Sequence, residues 1–240
     1  MENYIIINSA NRTSGSPGNF SVQLQETIKD LRYLKLQQAY IPYSFLIVAG
    51  QSISFEESLG GGAITVAIPP AHYDYSTFAT AVKTLLDANS PNGLTYTVVF
   101  DATTLLYTIS STGNFSLIFN ASTKSAKYLG FANSTTTVAA ASVTSTQAAN
   151  ISEPYLTISI SPWENNITST DYYPRGWMVP INGNFGDLLV YTEGLVDNQL
   201  IKFSPSRNIY QMDIRLSYPD GSPVDMRGNN ITLKFSYTTY

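Results

Sequence analysis

The chain has 240 residues, 43% of them hydrophobic, and no cysteine. Disulfides and cysteine-based zinc sites are therefore excluded, and stability has to come from packing. Charged residues make up only 12% and the net charge is −4, against about 25% charged residues in an average soluble domain; this charge balance gives no basic patch for wrapping nucleic acid.

In chain order, Ile5, Ile6 and Ile7 form an apolar run too short for the core of a signal peptide. No stretch approaches the length of a membrane span. Ser9 to Gly18 contains Gly15, Pro17 and Gly18 and little to pack, so residues 1–18 read as a flexible N-terminal arm. Period-2 alternation then begins, with Phe20, Val22 and Leu24 on one face and Leu34 and Leu36 further on. The run continues through Ala39, Tyr40 and Ile41 to Pro42. Lys29, Arg32 and Lys35 read as a solvated face. Ile47, Ile53 and Phe55 suggest another strand pair before Gly60, Gly61 and Gly62, which read as a hinge.

The stretch 63–150 has a different pattern. Ala63 to Ile68 is a predicted strand stopped by Pro69 and Pro70. Ser76 to Ala88 is a predicted helix with Ser76 as N-cap and Phe78, Val82, Leu85 and Leu86 on one face. A meander follows: Tyr96 to Phe100, a turn at Asp101 to Thr104, Leu105 to Ile109, a turn at Gly113 and Asn114, then Phe115 to Phe119. Leu129, Gly130 and Phe131 close this unit. Ala132 to Asn150 is rich in Ser, Thr and Ala and reads as a long loop or linker.

Alternation resumes with Leu156, Ile158 and Ile160. Trp177 to Ile181 and Leu188 to Tyr191 follow, then a short strand from Leu200 to Phe203 bounded by Pro205. Tyr210, Met212, Ile214 and Leu216 share a face, Asp220-Gly221 makes a turn, and Ile231 to Tyr237 ends the pattern. The expected fold is mainly β: a single jelly-roll sandwich made of 19–62 and 151–240, with a small α+β module, 63–150, inserted between its strands. Short antiparallel strands without helices need a second sheet to cover their apolar face, and each group completes the other.

No reactive constellation stands out. His72 is the single histidine, and no Gly-x-Ser-x-Gly motif frames a nucleophile. Glu56, Glu57, Glu153, Glu164, Asp171 and Asp187 are the acids a glycosidase could pair, but no signature surrounds them. Asp220, Gly221 and Asp225 come nearest to a calcium loop, and a turn explains them. No catalytic, cofactor-binding or metal residues are assigned, and an enzyme is not expected. The low charge has another consequence. Ser, Thr, Asn and Tyr are cheaper to desolvate than Lys or Glu, and interfaces tend to be depleted in Lys and Glu. Trp163, Tyr172, Tyr173, Arg175 and Trp177 form the cluster whose residue types match interface hot spots.

Three groups of segments resemble penton (vertex) proteins of the double-jelly-roll lineage of DNA viruses, among them virophages, polinton-like viruses and large algal or amoebal viruses. The first is Asn19-Phe20-Ser21-Val22-Gln23-Leu24 with Leu34-Lys35-Leu36 and Ala39-Tyr40-Ile41-Pro42-Tyr43. The second is Tyr73, the Phe78–Leu86 helix, Tyr96-Thr97-Val98 and Leu129-Gly130-Phe131. The third is Ile214-Arg215-Leu216, Asp220-Gly221 and Leu233-Lys234-Phe235. The resemblance implies a single jelly roll, a homopentamer plugging the icosahedral five-fold vertex of a virion, and contacts with trimers of the major capsid protein. Minor capsid or fibre proteins are further expected partners, and direct nucleic-acid binding is not expected. A carbohydrate-binding sandwich of a fibre or lectin, using Trp163, Tyr172 or Trp177, is the alternative.

Overall fold

A computed structural model of the chain describes residues 3–58, 62–161, 176–193 and 200–239. Strands β1 (Asn3–Asn8), β2 (Ser14–Ser16) and β3 (Asn19–Pro42) open it. Next come β4 (Ser52–Glu57), β5 (Ile64–Ala67), helix α1 (Tyr75–Ala88), β6 (Tyr96–Asp101), β7 (Leu106–Ile118), α2 (Ala126–Leu129) and β8 (Ala140–Thr144). β9 (Tyr155–Ser161), β10 (Trp177–Pro180), β11 (Leu188–Thr192), β12 (Leu200–Ser217) and β13 (Thr232–Thr239) complete it. The chain divides into two compact units, Met1–Phe45 with Glu153–Tyr240, and Leu46–Ser152.

The first unit is entirely antiparallel. Its eight strands hydrogen-bond in the order β1-β13-β3-β12-β9-β10, with β11 and β2 also on β3. The sheet curls because β3 and β12 are long, 24 and 18 residues, and pair with different neighbours at their two ends. The late part of β3 lies between β13 and β11, while its early part pairs with β12 and β2. Trp177 on β10 packs against Phe235 on β13, ring centroids 5.4 Å apart. Those strands are not neighbours in the ladder, so this contact joins facing layers. The fold is thus a curled antiparallel sandwich, consistent with a jelly roll.

A detail of β3 explains its sequence. Its buried positions switch from even numbers at Leu34 and Leu36 to odd numbers at Ala39 and Ile41. The register with β13 shifts at the same place: Phe235 faces Leu36 but Lys234 faces Gln38, leaving Gln37 as the extra residue. A bulge restores the apolar side chains to the inner face after the period slips.

Several sequence expectations are corrected in this unit. Residues 1–18 are not an arm over their described length: β1 pairs with β13 from Asn3↔Tyr237 to Asn8↔Thr232, and β2 pairs with β3. Burial of Ile7 beside Leu233 ties β1 down. Leu200 to Phe203 is not a separate short strand; β12 runs through Pro205 to Ser217, with register shifts between Lys202 and Gln211. Lys35 is not simply solvated, because its Nζ lies 2.6 Å from Glu193 Oε1 and both side chains are largely covered.

The second unit holds a five-stranded sheet in the order β5-β4-β7-β6, with β8 also on β7. The boundary expected at 62/63 falls instead at Phe45/Leu46. Phe55 of β4 pairs with Leu117 of β7, and Ile53 and Phe55 are fully buried in this unit's core. Ile53 and Phe55 therefore complete the α+β core rather than a jelly-roll sheet. The hinge assigned to Gly60, Gly61 and Gly62 lies largely outside the described residues. β7 runs straight through Gly113 and Asn114, where a turn is expected from sequence. It pairs with β6 before that point and with β4 after it. Gly113 serves close packing: a Cβ there would sit 2.9 Å from Leu94 Cδ2.

Helix α1 presses Phe78, Val82 and Leu86 onto the core. Its N-cap is Asp74, not Ser76. Asp74 Oδ1 accepts from Thr77 N at 2.7 Å, and Thr77 Oγ1 accepts from Asp74 N at 2.9 Å, a closed capping box. The Ser/Thr/Ala-rich stretch is not a free loop. β8 pairs with β7, and Ser145, Gln147 and Ala149 donate backbone bonds to Tyr107, Gly130 and Leu105. Gly130 has φ +77 and a Cβ on it would meet Gln147 O at 2.3 Å. Only glycine permits that approach.

Candidate assembly surfaces

The outer face of β1-β13-β3-β11 in the first unit exposes several large apolar side chains among polar ones. Cross-strand registers fix which side chains share it. Val190, Tyr40, Thr232 and Asn8 form one row, and Thr192, Gln38, Lys234 and Ile6 form the next. Ile6 is 70% exposed, Tyr4 55%, Leu188 55% and Val190 47%. Their neighbours in sequence, Ile7 and Leu189, point inward and are buried. Period 2 alone would place polar residues at the exposed positions of a solvated strand; here they are aliphatic or aromatic. Among the described residues, charge on this face is limited to Lys35, paired with Glu193, and Lys234, whose Nζ sits 4.5 Å from the Tyr4 ring centroid. A groove of about 890 Å³ runs beside β1, with Val22 to Lys29 of β3 as its other wall.

Of the aromatic cluster, Trp163, Tyr172, Tyr173 and Arg175 lie outside the described residues. Trp177 is described and is 2% exposed, packed on Phe235. Its side chain fills the core of the sandwich, while the next residue, Met178, faces outward. The exposed residues of β1 and β11 were missed as a site by sequence reading, although both strands were apolar enough to notice. What could have flagged them is the lack of any charge in Asn3–Asn8 and Leu188–Thr192.

The acids do not converge on a cleft. Glu57 is buried in the second unit and accepts bonds from Ser90 Oγ at 2.6 Å, Tyr96 OH at 2.9 Å and Asn92 N at 3.0 Å, with the Asn92 side chain also donating to it. Burial works to raise its pKa, but these donors favour the carboxylate and the net direction is down. Tyr96 moves the other way, raised by burial and by the bond to Glu57. Nearby, Asp87 accepts from Tyr96 N at 2.7 Å and Lys83 Nζ at 2.5 Å. These bonds make a clasp joining β4, β6 and the end of α1. Glu56, Asp187 and His72 are exposed, and Glu164 and Asp171 lie outside the described residues. Asp220 and Asp225 accept from the backbone of Ser222 and Arg227 within their own turns. Among the described residues no group of His, Cys, Asp or Glu could hold a metal ion, and no helix is long and apolar enough to cross a membrane.

Fold and surface together define an antiparallel β-sandwich protein that exposes apolar side chains on one sheet face, with a compact α+β unit inserted between its two sandwich segments in sequence. No family model and no curated protein matches the sequence. Among solved structures, the mavirus penton protein is similar at 12% identity and a TM-score of 0.48, covering 99% of this chain and 100% of that one.

Proposed function

We propose that this chain is a structural subunit of a viral capsid, assembling as a homopentamer at the five-fold vertex and touching trimers of the major capsid protein. The observation that carries this reading is the outer face of the β1-β13-β3-β11 layer, which leaves Tyr4, Ile6, Leu188 and Val190 in water in the isolated chain. Exposed apolar side chains on a weakly charged surface favour burial against a partner. A chain with 12% charged residues has little else to keep copies apart. The resemblance described from sequence supports the viral setting. Its segments Asn19–Leu24, Leu34–Leu36, Ile214–Leu216 and Leu233–Phe235 lie on β3, β12 and β13, the connected centre of the sandwich.

The carbohydrate-binding alternative loses one of its residues, because Trp177 has no exposed ring to stack on a sugar. Removing residues 1–16 would strip β1 and β2 and bare the β13 edge, so it destabilises the subunit rather than releasing an arm. Native mass measurement of the purified protein, followed by imaging of particles carrying a tagged copy, tests the proposal. Pentamers and five-fold vertex density are expected. A chain that stays monomeric and is absent from the vertices overturns it.

A further inference from the structure

We infer that copies of this chain associate head to tail by antiparallel pairing of β1 of one copy with β11 of the next. This deepens the assembly reading above and rests on it.

The first argument is the state of the edges. Among the described residues β1 pairs with β13 alone and β11 with β3 alone, so each leaves a row of backbone donors and acceptors open. Proteins that stay monomeric protect such edges with charge, proline or brevity. The other edges of this unit follow that practice: β10 is four residues long and ends at Pro180, and β2 has three residues. By contrast, β1 reads NYIIIN and β11 reads LLVYT, with no charge, proline or glycine in either.

Strand direction supplies the second argument. β1, β13, β3 and β11 alternate in direction along the sheet, each pair antiparallel. With four strands alternating, the two ends run oppositely. A second copy placed in the same orientation beside the first therefore brings β11 antiparallel to β1, and the ladder continues without reversal.

The third argument is the split apolar face. Tyr4 and Ile6 at one end and Leu188 and Val190 at the other lie on the same outer face by register. In one copy they sit on opposite edges, separated by Gln38, Tyr40, Thr232 and Lys234. At a β1–β11 junction they become neighbours and form a single cluster. The groove beside β1 gives the incoming strand room. Because the two surfaces differ, the contact is heterologous; it can close into a ring.

The chain has no cysteine, so introduced thiols report this contact alone. The test pairs Ile6→Cys in one chain with Leu188→Cys, Val190→Cys or Thr192→Cys in the same chain. Oxidation is expected to give a ladder of covalent multimers for at least one pair, and no cross-link for any single variant. In parallel, Ile6→Lys with Val190→Lys should move the native mass to monomer, whereas Ile6→Lys with Val190→Glu should keep the oligomer. Circular dichroism checks that both remain folded. Oligomers that survive the double lysine variant, with no ladder from any pair, overturn edge pairing while leaving assembly intact. Dimers from a single cysteine variant indicate a symmetric contact and overturn the head-to-tail arrangement. A wild-type chain that is monomeric overturns both.

Discussion

The two units use the same residue types in opposite ways. In Leu46–Ser152 the aromatic side chains turn inward: Phe55, Phe78, Tyr96, Tyr107, Phe115 and Phe119 are all buried, and a buried carboxylate ties strands to helix. Its sheet wears hydroxyl pairs outside, such as Thr108 with Thr144 and Ser110 with Ser142. The sandwich unit buries Trp177 and Phe235 but leaves Tyr4, Ile6, Leu188, Val190 and Tyr210 in solvent. Both units expose apolar side chains, Val99, Leu105 and Val138 in the α+β unit among them, but Ile6 and Val190 of the sandwich share one face by register. Under the proposed assembly this shared face favours the sandwich as the contact surface, since hydrophobic burial that is still available acts between molecules as it does within one.

Substitutions can break or sharpen this contrast. Trp177→Ala should cost about 3–5 kcal/mol, the usual range for emptying a buried large aromatic site. Met178→Ser, one residue on and facing outward, should cost under about 0.5 kcal/mol. Urea midpoints measure both, and a large loss at Met178 would mean that its face is already covered within one chain.

Glu57→Leu should destabilise by about 2–3 kcal/mol by stranding Ser90, Tyr96 and Asn92. Glu57→Gln should cost less, and its effect should depend on pH. The folded pKa is lowered, so the stabilisation is present above the unfolded value of about 4.3. It is lost as pH falls through the lower folded value. The gap between wild type and Glu57→Gln should be full near neutrality and close in acid; a gap that widens in acid would show that the carboxylate is held protonated.

Gly130→Ala should cost about 1–2 kcal/mol, through its positive φ and the approach of Gln147 O. Thermal melting reads it, and an unchanged melt would return residues 132–150 to the status of a loop. A small effect is expected of Lys35→Met, about 1 kcal/mol or less even though the ion pair is partly covered. Its loss should shrink further in high salt.

Alternation along the chain was enough to find most strands. Phe20 and Val22, and Met212, Ile214 and Leu216, are buried as their spacing demands, whereas Thr157 and Ser159 are buried along with Leu156, Ile158 and Ile160, and Tyr210 is exposed beside a register shift. Helix α1 was legible from Phe78, Val82 and Leu86, although its cap was displaced by two residues to Asp74. The candidate surface was not legible as such. Ile5, Ile6 and Ile7 look alike in sequence, and nothing local says that Ile6 alone is left in water.

What the sequence by itself determined was the β class, the α+β character of the middle stretch and the shortage of charge, because side-chain period and composition are local properties. Partnership between distant strands was decided only in three dimensions. Ile53 and Phe55 joined the α+β core, Asn3–Asn8 became an edge strand on β13, and Trp177 turned inward to meet Phe235. An apolar strand carries the same pattern whichever sheet covers it. The choice among covers depends on which contacts across the chain fill space together, and no short window of residues contains that information.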